Sequence, residues 1–164
     1  MAGQKIDGIE VSKEVKEILK RAVQKLKSEG LQPCLATILV GNDPASMTYV
    51  RNKHNACESV GIKTKDYNLS NTASQEELDK IIDDLNNDRG VHGILVQLPL
   101  PRQLNEFTTI SRILPLKDVD GLTPQNVGLL SMGKSILKAC TPSGIMEMFY
   151  YYKINLEGKN VVMI

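Results

Sequence analysis

Several large classes of protein are excluded by what this sequence has little of. It has three cysteines, Cys34, Cys57 and Cys140. They are odd in number, widely spaced and without a C-x-x-C pair, which argues against both a disulfide framework and a zinc site. Its two histidines, His54 and His92, stand far apart with no acidic or cysteine partner at ligand spacing, so no metal is expected. Neither sign of charge dominates: 20 Lys and Arg against 19 Asp and Glu leave a formal charge of +1. With no basic block either, nucleic acid and anionic membrane are not expected partners. The start, MAGQKIDGIE, lacks the basic opening and apolar run of a secretory signal, and no stretch approaches the length of a membrane-spanning helix. The expectation is a soluble, cytoplasmic protein.

What is present suits an ordinary domain: 164 residues, 41% of them apolar, are enough to bury a sizeable core. Val11, Val15, Ile18, Leu19, Ala22, Val23 and Leu26 recur at helical spacing, with Gly30 as the stop. CLATILVG, 34–41, reads as a short strand covered on both faces. Asp43 and Pro44 then supply a cap and a first helical residue, and Gly61 closes that helix. Tyr67 and Leu69 alternate with polar neighbours in a second strand; Ser74 and Glu77 form a capping box opening a helix with Leu78, Ile81, Ile82 and Leu85. VHGILVQLPLP is a third short strand, halted by its prolines. Thr141 and Pro142 suggest the cap and first turn of a later helix, and EGKNVVMI one more strand. This alternation predicts an α/β fold, with a mostly parallel sheet and helices on both faces. Ligands of such sheets bind beyond the carboxyl ends of the strands. The segments leaving that edge are VGNDPAS, VQLPLP and the loop LPLKDVDGLTPQN.

TYVRNK, 48–53, carries the first sign of chemistry. At about 100° per residue, Lys53 falls in the middle of an apolar arc made by Ser46, Tyr49, Val50, Ala56, Cys57 and Val60. A lysine there either snorkels to water or borders a cleft. In a cleft, partial loss of solvent penalises the ammonium, and a neutral amine can move protons. Tyr49, one turn earlier, offers a flat surface and a hydroxyl. Asp118 and Asp120 flank Val119 before Gly121; such a loop can be an Asx-turn with both acids solvated, or a carboxylate there can take paired N–H donors. Gln97 closes a buried strand and needs a partner, which Lys53, a ligand or neighbouring backbone could supply. GLLSMGKS, 128–135, satisfies the phosphate-loop pattern G-x-x-x-x-G-K-S/T, but no strand precedes it and Pro142 follows closely, so a nucleotide triphosphate site is not expected.

VGNDPASMTYVRNKHNACESVGI, VHGILVQLPLP, KDVDGLTPQNVGLL and CTPSGIMEM together resemble the bifunctional methylenetetrahydrofolate dehydrogenase/methenyltetrahydrofolate cyclohydrolase family, in order and over essentially the whole chain. The resemblance implies the catalytic domain of a two-domain enzyme, residues 1–155, with 156–164 as the first strand of an NADP-binding half that the chain does not contain. It implies oxidation of methylenetetrahydrofolate by NADP and hydrolysis of the methenyl product to formyltetrahydrofolate, in a cytoplasmic homodimer serving one-carbon metabolism and purine biosynthesis. Lys53 would be the central group of the hydrolysis, Tyr49 would pack along the folate, Gln97 would bond the lysine, and Asp120 would anchor the pterin's amino-pyrimidine edge. Val50, Arg51, Asn52, Val96 and Leu98 would line the substrate site, and Thr141 would touch the cofactor. The family usually has proline where this chain has Ala139. A cationic methenyl group also disfavours a charged lysine beside it. Used alone, the chain is expected to transfer no hydride and to hold folate weakly. The rival readings are a non-catalytic flavodoxin-like binding module and a phosphate-loop nucleotidase needing Lys134.

Overall fold

The computed structural model describes Gly3 and residues 5–162. In chain order its elements are α1 (Gly8–Ser28), β1 (Cys34–Val40), α2 (Pro44–Val60), β2 (Lys63–Leu69), α3 (Gln75–Asn87), β3 (Gly93–Val96), α4 (Glu106–Arg112), α5 (Pro124–Ser131) and α6 (Cys140–Tyr151). The three strands form one parallel sheet in the order β2-β1-β3. Ile38 pairs with Tyr67 on one side and Val96 on the other.

Because strand side chains alternate between faces, Cys34, Ala36, Ile38 and Val40 share one face of β1 and meet Ile94 and Val96 of β3. Leu78, Ile82 and Leu85 of α3 cover that face, with Ile110 and Ile113 behind them. Ala36, Ile38, Leu78, Ile82 and Ile94 are completely buried. Each such aliphatic side chain larger than alanine contributes about 1.5–3 kcal/mol by leaving water. On the opposite face α2 packs against β1 and β2, so helices cover both faces as the alternating pattern predicts.

Local chemistry sets the helix starts. The Asp43 carboxylate accepts from Ser46 N at 2.7 Å, and Pro44 fills the first helical position of α2. Gly61 ends α2 at φ 85°, a left-handed conformation that favours glycine. Ser74 caps α3 by accepting from Glu77 N. Arg112 of α4 then grips Asp79 and Asp83 of α3.

Four expectations need correction. The apolar stripe of α1 is mostly uncovered: Val11 and Val23 are buried, whereas Ile18, Leu19 and Leu26 are exposed, because α1 lies on α2 and α6 rather than on the sheet. Thr141 is not the cap of α6; Ala139 is, without a side-chain bond, and Thr141 sits in the first turn. Residues 156–162 form no strand: Glu157 and Gly158 turn, and Val161 and Val162 are exposed. Met163 and Ile164 lie outside the described residues. The loop 114–126 contains the start of α5, where Thr123 caps and Pro124 leads, a signal of the kind already read at Asp43 and Pro44.

The two ends of the domain meet. Glu10 accepts from the hydroxyls of Tyr151 and Tyr152 at 3.0 and 3.1 Å, and the Tyr152 hydroxyl accepts from Asp7 N.

Candidate functional site

The carboxyl ends of β1 and β3 bring α2 and the segment after β3 together. Gln97 follows β3 directly, and its backbone N–H still bonds Ile38 O of β1 at 2.8 Å. Its side-chain amide donates to Leu98 O at 2.7 Å, which turns Oε1 toward α2. Lys53 Nζ donates to that oxygen at 3.2 Å. Both residues are half-buried. Gln97 therefore has two of the partners anticipated for it, the lysine and a neighbouring carbonyl. An amine that gives one N–H to Gln97 keeps its remaining valences for whatever occupies the open side.

Tyr49 does not share Lys53's partial burial. It is 61% exposed, so its ring stands in the open one turn before the lysine. Val50 and Val96 are buried, and Leu98 is half-buried. Arg51 and Asn52 are exposed; Arg51 borders a separate groove with Leu39, His54, Asp66 and Asn68. In that groove the ring of His54 has both Asp66 and Thr64 at 2.8 Å, partners that the sequence spacing did not reveal. Thr141 is exposed and lines the groove between α1 and α6 with Gly8, Val11 and Cys140.

The two loop aspartates have different surroundings. Asp118 is 2% exposed, and its Oδ2 accepts from Thr123 N and Asn126 Nδ2, each at 2.8 Å. Burial raises its carboxyl, but the bonds from Thr123 and Asn126 outweigh burial and hold it below the ordinary carboxylate value. Asp120 is half-buried. Ile94 N donates to Lys117 O at 2.7 Å and Ile94 pairs with Asp118 in a parallel bridge, so the loop runs alongside β3 toward the sheet's carboxyl edge. Cys140 links these groups. Burial raises its thiol most, the Asp120 carboxylate raises it further, and the Lys53 charge lowers it, so aspartate and lysine act on one sulfur. The reading of three isolated cysteines gave no sign of this.

The phosphate-loop pattern is occupied by a helix end. Residues 128–131 belong to α5, and the N–H groups of Met132, Gly133 and Lys134 bond the carbonyls of Gly128, Leu130 and Leu129. Amides spent on the helix's own carbonyls do not cradle a phosphate.

Residues 6–120 match the family described as tetrahydrofolate dehydrogenase/cyclohydrolase, catalytic domain. The chain belongs to that family. It is 65% identical to the bifunctional protein FolD of Nitrosopumilus maritimus over all 164 residues, which are 57% of that protein. It is 59% identical to FolD of Cenarchaeum symbiosum over 97% of this chain and 56% of the relative. The crystal structure of the Campylobacter jejuni bifunctional enzyme FolD, methylenetetrahydrofolate dehydrogenase/cyclohydrolase, superposes with a TM-score of 0.94 at 48% identity, over 96% of this chain and 56% of that one. The Trypanosoma brucei FolD, solved with NADP cofactor and inhibitor, gives 0.92 at 34% identity, over 97% of this chain and 55% of that one. The chain thus spans little more than half the length of the relatives it matches. The dehydrogenase/cyclohydrolase catalytic domain, as a family fold, accounts for the parallel α/β sheet and for the order of the motifs along it.

Proposed function

We propose that this chain is the folate-binding catalytic domain of a bifunctional enzyme of one-carbon metabolism. The enzyme oxidises methylenetetrahydrofolate with NADP and hydrolyses the methenyl product to formyltetrahydrofolate. The observation that carries the reading is the Lys53–Gln97 contact at the sheet's carboxyl edge, a lysine held out of full solvent by a fixed amide.

Hydrolysis follows from those groups. A water molecule adds to the carbon of the methenyl cation and gives its proton to the Lys53 amine. One C–N bond of the tetrahedral adduct then breaks, the released nitrogen takes up a proton, and one proton leaves overall. Gln97 accepts an N–H of the lysine and so aims the nitrogen's remaining valences at the open side. Tyr49 offers its exposed ring as a platform for the folate, and Asp120 takes the paired N–H donors of the amino-pyrimidine edge. Val50, Arg51, Asn52, Val96 and Leu98 complete the substrate assignment.

The nucleotide fits this chain poorly. A dinucleotide calls for a strand, a glycine-rich turn and a helix N-terminus, and residues 156–162 provide a turn and irregular chain only. We therefore assign NADP to the part of the relatives' length outside these residues, with Thr141 as its one contact here. On this reading residues 1–155 are the catalytic domain and 156–164 lead into the nucleotide-binding half. The enzyme is a cytoplasmic homodimer whose product feeds purine biosynthesis.

Three measurements test this. The purified 164-residue chain, given methylenetetrahydrofolate and NADP, forms no NADPH; measurable reduction overturns the division of labour between the halves. Calorimetry with 5-formyltetrahydrofolate detects weak binding to the same chain, and Asp120→Ala weakens it by about 10–100-fold, as expected for losing hydrogen bonds to a charge. Binding that ignores Asp120 removes the pterin anchor. Binding without any hydrolysis of the methenyl compound by the two-domain protein would favour a non-catalytic module.

A further inference from the structure

We propose that Cys140 is a positioning residue for Asp120: with Gly93 and Gly121 it clamps the loop Val119–Gly121 between β3 and the start of α6. This rests on the folate reading above, because it concerns how the carboxylate assigned to the pterin is held.

The loop is fixed on both sides. Toward the sheet, Lys117 O accepts from Ile94 N, and the buried Asp118 carboxylate ties the chain to Thr123 and Asn126. A Cβ on Gly93 would collide with Val119 Cγ1, so the absence of a side chain on β3 lets the loop settle. Toward α6, the Cys140 thiol donates to Val119 O at 3.3 Å. Gly121, at φ +64°, comes so near the entering chain that a Cβ would stand 2.6 Å from Lys138 C and 2.8 Å from Ala139 N. No ordinary side chain fits there, and the conformation itself favours glycine.

Asp120 lies between Val119 and Gly121, and both neighbours are held. Its carboxylate also acts on the thiol. An ordinary cysteine thiol is protonated at neutral pH and donates weakly, and partial desolvation and that carboxylate push the exposed Cys140 further the same way. A clamp of this kind removes alternative rotations of the loop, so the carboxylate pays less ordering entropy when it meets two parallel N–H donors. The start of α6 has no side-chain cap at Ala139, which leaves the Cys140–Val119 bond as a tie between this helix end and the loop.

Cys140→Ala and Cys140→Ser provide the test. Amide hydrogen exchange on the free 164-residue chain reads the clamp without folate: exchange at Gly121, whose N–H donates to Asp118 O, rises about two- to tenfold in Cys140→Ala and stays near wild type in Cys140→Ser, which keeps a donor. The infrared S–H stretch of the unmodified protein includes one hydrogen-bonded band that both variants lose. Calorimetry with 5-formyltetrahydrofolate then shows affinity lowered about 5–20-fold by alanine and restored to within about threefold by serine. Unchanged exchange in Cys140→Ala, a free-thiol band at Cys140, or no rescue by serine overturns the proposal. A normal exchange response with no folate binding by the wild type retains the clamp and instead rejects the folate reading. Should Cys140→Ala fail to fold, the wild-type S–H band and the serine variant still decide.

Discussion

Lys53→Met lowers the hydrolysis of methenyltetrahydrofolate by the two-domain protein about 10²–10⁴-fold, the range supplied by a positioned proton-transfer group. Methionine keeps most of the length and apolar contact of the lysine stem and removes only the nitrogen that meets Gln97. Gln97 is half-buried, so water can take the place of Nζ at its Oε1. The midpoint of urea unfolding should therefore move by no more than about 0.5–1 kcal/mol equivalent. Folate binding, measured separately, should persist because Tyr49 and Asp120 are untouched. Hydrolysis at the wild-type rate would sink the role assigned to Lys53. A large loss of stability would mean that the contact is structural.

Asp118→Ala has the largest expected effect on stability. The carboxylate is buried and takes two donors, Thr123 N and Asn126 Nδ2. Truncation strands both in the interior, at a cost of about 2–4 kcal/mol, read as a lower urea midpoint. The same group gives a pH signature. Its folded carboxyl lies below the ordinary value, the bonds from Thr123 and Asn126 outweighing the opposing effect of burial. Its contribution is therefore fully present above the unfolded value of about 4 and is lost as pH falls through the lower folded value. Wild type should lose stability on acidification below about pH 4 more steeply than Asp118→Ala. Equal slopes would show that the carboxylate is no better stabilised in the folded protein than in the unfolded one.

Much of this fold is written in local patterns. The apolar run 34–40, interrupted only by Thr37, became the central strand. Asp43, Pro44 and Gly61 bound α2 at the positions their chemistry demands, and Ser74 capped α3. Lys53 could be placed on a helix face by angle alone, and Gln97 at a strand end by its unsuited polarity. What could not be read depends on contacts between distant segments. The apolar stripe of α1 carries no label saying which element it faces, and Ile18 and Leu19 remain exposed. Tyr49 shares the lysine's side of the wheel, but a wheel does not show where the packed surface stops. The roles of Asp118 and Cys140 arise from Asn126 and Val119, partners 8 and 21 positions away along loops without a period.

The bonding of α1 to the end of α6 has a mechanical meaning. Tension applied through the flanking chain would be borne first by the exposed contacts of Glu10 with Tyr151 and Tyr152. Exposed hydrogen bonds of this kind compete with water and yield at small cost. Such a load would peel α1 from α6 while β1, sheltered between β2 and β3, kept its register. Cys140 at the start of α6 meets the loop that carries Asp120, so strain entering at the ends would reach that loop through α6 while Lys53 and Gln97 stayed with the sheet.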